Sequence, residues 1–135
     1  MVKKIWCNGS FDVIHYGHFK LLEYAGSLGE LHVGLDSSGR IKEKKGEGRP
    51  YHSYIQRSEI IKGFKFVNQT YFFNDDDMLR TIIRIIQPDI MVIGSDYKDK
   101  EIIGREYIKE VFYFDRIEGL STTNILKIWN INTNH

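Results

Sequence analysis

Cysteine is nearly absent: Cys7 stands alone among 135 residues, so no internal disulfide braces the fold. A lone thiol in an apolar run suits a reducing compartment, and burial is the expected role for it. Proline is scarce, at two, and with 12 glycines the chain is too poor in both for a fibrous or disordered polymer. Net charge is missing as well. The 19 basic and 18 acidic side chains leave +1, so no global field draws the protein onto nucleic acid or an anionic membrane, and any anion site must be local. Apolar runs are short or interrupted, as in "TIIRIIQPDIMVIGSD", so neither an export signal nor a membrane span is expected and the cytoplasm is the default location. No G-x-G-x-x-G follows the first apolar run and no G-x-x-x-x-G-K-[ST] occurs, which disfavours a dinucleotide oxidoreductase and a P-loop enzyme.

What remains is a balance of 41% hydrophobic and 27% charged residues, enough for one globular core. A single domain over 1–135 is expected. Strand-like and helix-like periodicities alternate. "KIWCNGS" reads as the first strand, and from His15 to about Leu28 apolar residues recur at helical spacing until Gly29. "LHVGLDS" is the second strand, and "SGRIKEKKGEGRP", polar and glycine-bearing, is expected to be a mobile loop. A helix follows from near Ser53 to Phe64, with Ser53 as N-cap and Ile55, Ile60, Ile61 and Phe64 facing inward. "QTYFF" is strand three. The acidic "NDDD" suits a helix start, and Met78, Leu79, Ile82, Ile83 and Ile86 form its apolar stripe. "DIMVIGS" reads as a buried parallel strand, followed by a short helix at 101–108, a fifth strand at "VFYFD" and a last helix from Ser121. This order predicts a doubly wound α/β fold, a five-stranded parallel sheet with helices on both faces. Ligands in such folds sit beyond the carboxyl ends of the strands, at the turns that hold "GSFDVIHYGH", "GSDYK" and "RIEGLSTT".

His15 and His18, three apart, share one side of a helix start whose backbone N–H groups are unpaired. Gly9 allows close backbone approach and Gly17 removes bulk between the imidazoles, a pattern suited to phosphate. Asp12 is expected to order the turn by bonding backbone N–H groups. Ser121, Thr122 and Thr123 open another helix just after Arg116, a fixed cation with five donors. Two helix N-termini at one sheet edge would grip a polyphosphate from both ends.

"GSFDVIHYGH" resembles the G-x-F-D-x-x-H-x-G-H motif of the cytidylyltransferase-like nucleotidyltransferases, and "RIEGLSTT" is similar to their C-terminal R-x-x-G-x-S-T-T element. The resemblance covers nearly the whole chain and implies a Rossmann-like fold. It further implies in-line attack of an acceptor phosphate on the α-phosphorus of a nucleoside triphosphate, CTP or ATP, with pyrophosphate leaving. On that basis His15, His18, Arg116, Ser121 and Thr122 are the expected catalytic residues. Gly9, Ser10, Phe11, Gly17, Asp96 and Thr123 would contact nucleotide, while Lys42, Lys44, Lys45 and Arg57 belong to an acceptor or phosphate loop. Mg²⁺ is expected through the substrate phosphates, with no dedicated protein ligands. A homodimer is expected, with Tyr71, Phe72 and Phe73 available for contact or core. "RPYHSYIQR" and "RIEGLSTT" look most like glycerol-3-phosphate cytidylyltransferase, which favours CMP transfer to a small phosphorylated polyol or sugar. "GSDYKDKEIIGREY" and "STTNIL" look more like the adenylyltransferase acting on heptose 1-phosphate. Lys65 and then Val67-Asn68 depart from the glycerol-3-phosphate pattern of arginine and then Val-Asp. Two other classes stand beside these: a zinc hydrolase using His15 and His18 with His52 or Cys7, which lacks a third ligand at reliable spacing, and a nucleotide-binding sensor without turnover.

Overall fold

A computed structural model describes residues 2–115; the helix expected from Ser121 lies outside them. Five parallel strands form one sheet in the order β3-β2-β1-β4-β5. They are β1 (Lys4–Gly9), β2 (Glu30–Asp36), β3 (Val67–Phe73), β4 (Ile90–Gly94) and β5 (Glu110–Phe114). Strand order reverses between β1 and β4, so the carboxyl ends of this pair open the crevice.

Alternation along the strands supplies two cores. Ile5, Cys7, Leu31, Val33 and Val92 point to one face, where α1 (Tyr16–Leu28) buries Leu22 and Ala25 and α3 (Tyr54–Lys62) buries Ile61. Trp6, Phe73 and Met91 point to the other, under Leu79, Ile83 and Ile86 of α4 (Asp76–Ile86). Gly34 makes the second core possible, since a Cβ there would stand 2.6 Å from the Trp6 ring. Among the described residues no helix is long and apolar enough to cross a membrane.

Several expectations change. The "SGRIKEKK" segment is no loop but a helix, α2 (Ser38–Lys45). Ser37 caps it by accepting from the Arg40 amide at 3.1 Å, Ile41 anchors it, and Lys42, Lys44 and Lys45 sit in its last turn, where cations suit the dipole. With one buried residue, it shows too little apolar periodicity to be seen in sequence. On α3 the Ser53 cap is as expected, but Ile55 is 67% exposed and Ile60 39%, because of the three isoleucines only Ile61 is turned into the core. On α4, Met78 is 40% exposed while Leu79, Ile83 and Ile86 are buried. The helix expected at 101–108 is a single 3₁₀ turn, Arg105–Tyr107. In β3, Phe73 is buried and Tyr71 packs on Trp6, whereas Phe72 is exposed on the edge strand against Tyr54.

Candidate active site

At the carboxyl end of β1 the chain turns sharply through Ser10–Ile14. Phe11 and Val13 have φ of 49° and 54°, which side-chain-bearing residues seldom adopt, and both are buried on either side of Asp12. Asp12 is fully buried, and it organises more than its own turn. Its carboxylate accepts from the amides of Tyr51 at 2.7 Å and His52 at 2.8 Å and from Arg49 Nε at 3.1 Å. Burial alone would raise the Asp12 pKa; the His52 and Tyr51 amides and the Arg49 guanidinium outweigh it and hold the carboxyl below its ordinary range.

His15 does not belong to the first helical turn but caps it, with extended backbone at φ −134°. Its Nδ1 accepts from the Gly17 amide at 3.0 Å, while His18 Nδ1 accepts from the His15 amide at 3.2 Å, a capping box built from imidazoles. An Nδ1 that accepts carries no proton, so each neutral ring bears its hydrogen on Nε2. The rings stack with centroids 3.9 Å apart. Burial, and then the neighbouring His15, drive the His18 pKa from 6.5 to about 3. His18 is therefore a neutral N–H donor at any physiological pH. In a pH titration followed by NMR, its ring signals should stay fixed from pH 8 down to about 5, changing only as the pH approaches the value of about 3. Both His18 and Asp12 have depressed values, so their contribution to stability is complete above about 6.5 and 3.8 respectively and is lost as the pH falls below each. A His18 signal titrating near 6.5 would remove the basis for the neutral donor.

A cavity of about 740 Å³ opens here. Gly9, Ser10, Phe11, His15, Gly17, His18, Lys44, Lys45 and Asp96 all border it. Phe11 sits edge-on to His18 at 5.6 Å, and a Cβ on Gly9 would press on the Phe11 ring at 3.3 Å, so this glycine makes room for the phenyl group. Lys45 Nζ donates to Ser10 Oγ at 3.2 Å, and burial together with Arg49 lowers its pKa. Asp96 lies in the 3₁₀ turn Ser95–Tyr97, which Gly94 caps, so it is not an N-cap.

Two expected site residues sit elsewhere. Lys42 is exposed and pairs with Glu47 at 3.5 Å, away from the wall. Arg57 is fully buried beneath the site, donating to the carbonyls of Ser10, Asp36 and His52 at 2.8, 2.7 and 3.2 Å, so it braces the turn and is not on the wall. Arg116, Ser121, Thr122 and Thr123 lie outside the described residues. Asp36, Arg40 and Arg49 were not singled out by the sequence: Asp36 and Arg40 border the cavity, and Arg49 reaches the site through Asp12. The one available signal was the Ser37 cap three residues before Arg40. The zinc reading weakens, because burial pushes the Cys7 thiol up to about 12 and a thiolate ligand there is unfavourable.

Residues 6–128 match the sequence model of a family described as cytidylyltransferase-like. The protein called bifunctional protein HldE in Campylobacter concisus is 44% identical over 126 residues, 93% of this chain and 26% of that one. Its namesake in Helicobacter hepaticus is 41% identical, with the same coverage of 93% and 26%. The chain thus spans about a quarter of the length of these curated relatives. Among solved structures, the lipopolysaccharide core biosynthesis protein of Thermoplasma volcanium superposes with a TM-score of 0.67 at 24% identity, covering 87% of this chain and 98% of that one. Pantothenate synthetase of Thermus thermophilus gives 0.64 at 13%, covering 91% and 61%. These two share the fold, and it is the family model over residues 6–128, with relatives 41% and 44% identical across 93% of the chain, that assigns it: the chain belongs to the cytidylyltransferase-like family of nucleotidyltransferases.

Proposed function

We propose that this domain moves an adenylyl group from ATP to a sugar 1-phosphate of the heptose type and releases pyrophosphate. The observation that carries the reading is the pair of imidazoles held as Nε2–H donors at the N-terminus of α1, on a cavity that Lys44 and Lys45 also line. An acceptor phosphate oxygen forms a bond to the α-phosphorus while the bond to the pyrophosphate oxygen breaks; no protein nucleophile is needed. Neutral N–H donors and ammonium groups stabilise charge on the phosphate oxygens without being consumed. Mg²⁺, when bound, neutralises the triphosphate. His15, His18, Lys44 and Lys45 would meet the phosphates as nitrogen donors, leaving the metal to phosphate oxygens and water.

CMP transfer to glycerol 3-phosphate, favoured by "RPYHSYIQR" and "RIEGLSTT", becomes the second reading. Relatives called HldE, at 41% to 44% identity, favour the adenylyl alternative together with "GSDYKDKEIIGREY". The product would be an activated sugar for cell-surface polysaccharide, made in the cytoplasm. The test is a matrix of four nucleoside triphosphates against heptose 1-phosphate, glycerol 3-phosphate, phosphocholine and phosphoethanolamine, scored by pyrophosphate release. ATP with heptose 1-phosphate should exceed every other pair. CTP with glycerol 3-phosphate leading would reverse the order, and nucleotide binding without pyrophosphate would make the domain a sensor.

A further inference from the structure

Arg40 is a charged group on the cavity wall that lies outside the motifs assigned to phosphate. Its side chain is only 10% exposed. Nε donates to Asp36 Oδ1 at 2.7 Å, Nη2 donates to Asp76 Oδ1 at 2.6 Å, and the guanidinium carbon lies 5.4 Å from the centre of the Phe73 ring. Those contacts fix the plane of the group. Nη1 makes no hydrogen bond among the described residues, and neither does Asp36 Oδ2. Asp36 is 15% exposed and also borders the cavity. Phe73 lies beneath the guanidinium, and Lys45 is near enough to Asp36 to interact with its charge.

A guanidinium N–H donates to a hydroxyl oxygen, whereas a carboxylate oxygen accepts a hydroxyl hydrogen. Side by side, they complement adjacent hydroxyl groups, each of which does both. Asp36 ends the strand next to β1, so the pair lies one strand away from the phosphate turn. We propose that Arg40 and Asp36 recognise the hydroxyl groups of a polyhydroxylated, phosphorylated acceptor, and so select a sugar phosphate over an amino-alcohol phosphate. This rests on the proposed transfer to a sugar phosphate and adds the residues that read its hydroxyls. The competing role is a staple between α2 and α4, since Asp76 begins α4. A staple alone predicts no preference between the two substrates.

Arg40→Met keeps an apolar stem over Phe73 and removes every donor; Asp36→Asn keeps the shape and removes the charge. Pyrophosphate release is measured on the full chain with ATP and heptose 1-phosphate, and binding of each substrate alone is followed by calorimetry. Arg40→Met should raise the acceptor KM by about 10–100-fold, the loss expected for a charged hydrogen bond, with the ATP KM within about twofold. A deoxy acceptor should be discriminated against by the wild type and not by the variant. Should Arg40→Met fail to fold, Asp36→Asn carries the same comparison. Unchanged acceptor KM and binding in a folded variant, or equal losses for ATP and acceptor, would overturn the proposal. Wild-type turnover with unaltered acceptor binding in the variants defeats the hydroxyl corner and leaves the transfer reading standing. Acceptor binding that depends on Arg40, in a protein that releases no pyrophosphate, supports the corner and defeats the transfer.

Discussion

His18→Ala is expected to lower turnover by about 10²–10³-fold, the loss typical of one preorganised donor to developing phosphate charge. Part of the effect of that variant on folding has a separate origin. His18 Nδ1 accepts from the His15 amide, so alanine also opens the capping box, which should cost about 1 kcal/mol of stability. The two roles separate in His18→Gln. Glutamine at the third helical position reaches back to the N-cap amide, as Gln56 does to Ser53 on α3 in this same protein. Stability should return in that variant, and turnover should not. The readouts are thermal unfolding and initial rates of pyrophosphate release. Wild-type turnover in a folded His18→Gln would mean that the imidazole serves the helix and nothing else.

Arg57→Met is expected to destabilise the fold by about 3–5 kcal/mol, because three main-chain carbonyls and the Ser38 hydroxyl lose a buried charged donor together. The methionine fills much of the stem volume, so the penalty arises from orphaned acceptors more than from a cavity. Ser10, Asp36 and His52 belong to the turn after β1, the end of β2 and the approach to α3, and the one guanidinium ties all three. Turnover should fall along with stability, since Ser10 borders the cavity. Urea unfolding gives the number, and a shift in midpoint worth under about 1 kcal/mol would show that the carbonyls find other partners. The family resemblance placed Arg57, which follows "YHS" and Tyr54, with an acceptor or phosphate loop. Burial is what removes it from that role.

Local chemistry was legible at the helix starts and strands. Ser53 and the acidic run before α4 marked two starts, and "DIMVIGS" announced a strand covered on both faces. Asp12 was expected to hold backbone N–H groups and does, but the amides are 39 and 40 residues away, a separation that no local pattern encodes. The helix α2 was missed because Ile41 is its one buried residue, so the apolar stripe that reveals a helix is absent and polar contacts hold it instead.

By itself the sequence determined the alternation of strands and helices, the phosphate-type turn and the two histidines, because periodicity and capping act over a few residues and leave their pattern in the order of side chains. Only the tertiary structure decided which charges face the cavity. Arg57 lies beneath the turn, Lys42 faces solvent, and Arg40 is held over Phe73 between two carboxylates. Those outcomes depend on which backbone and side-chain groups the folded sheet brings within hydrogen-bond reach, since burial and pairing belong to contacts between distant segments and not to any residue alone.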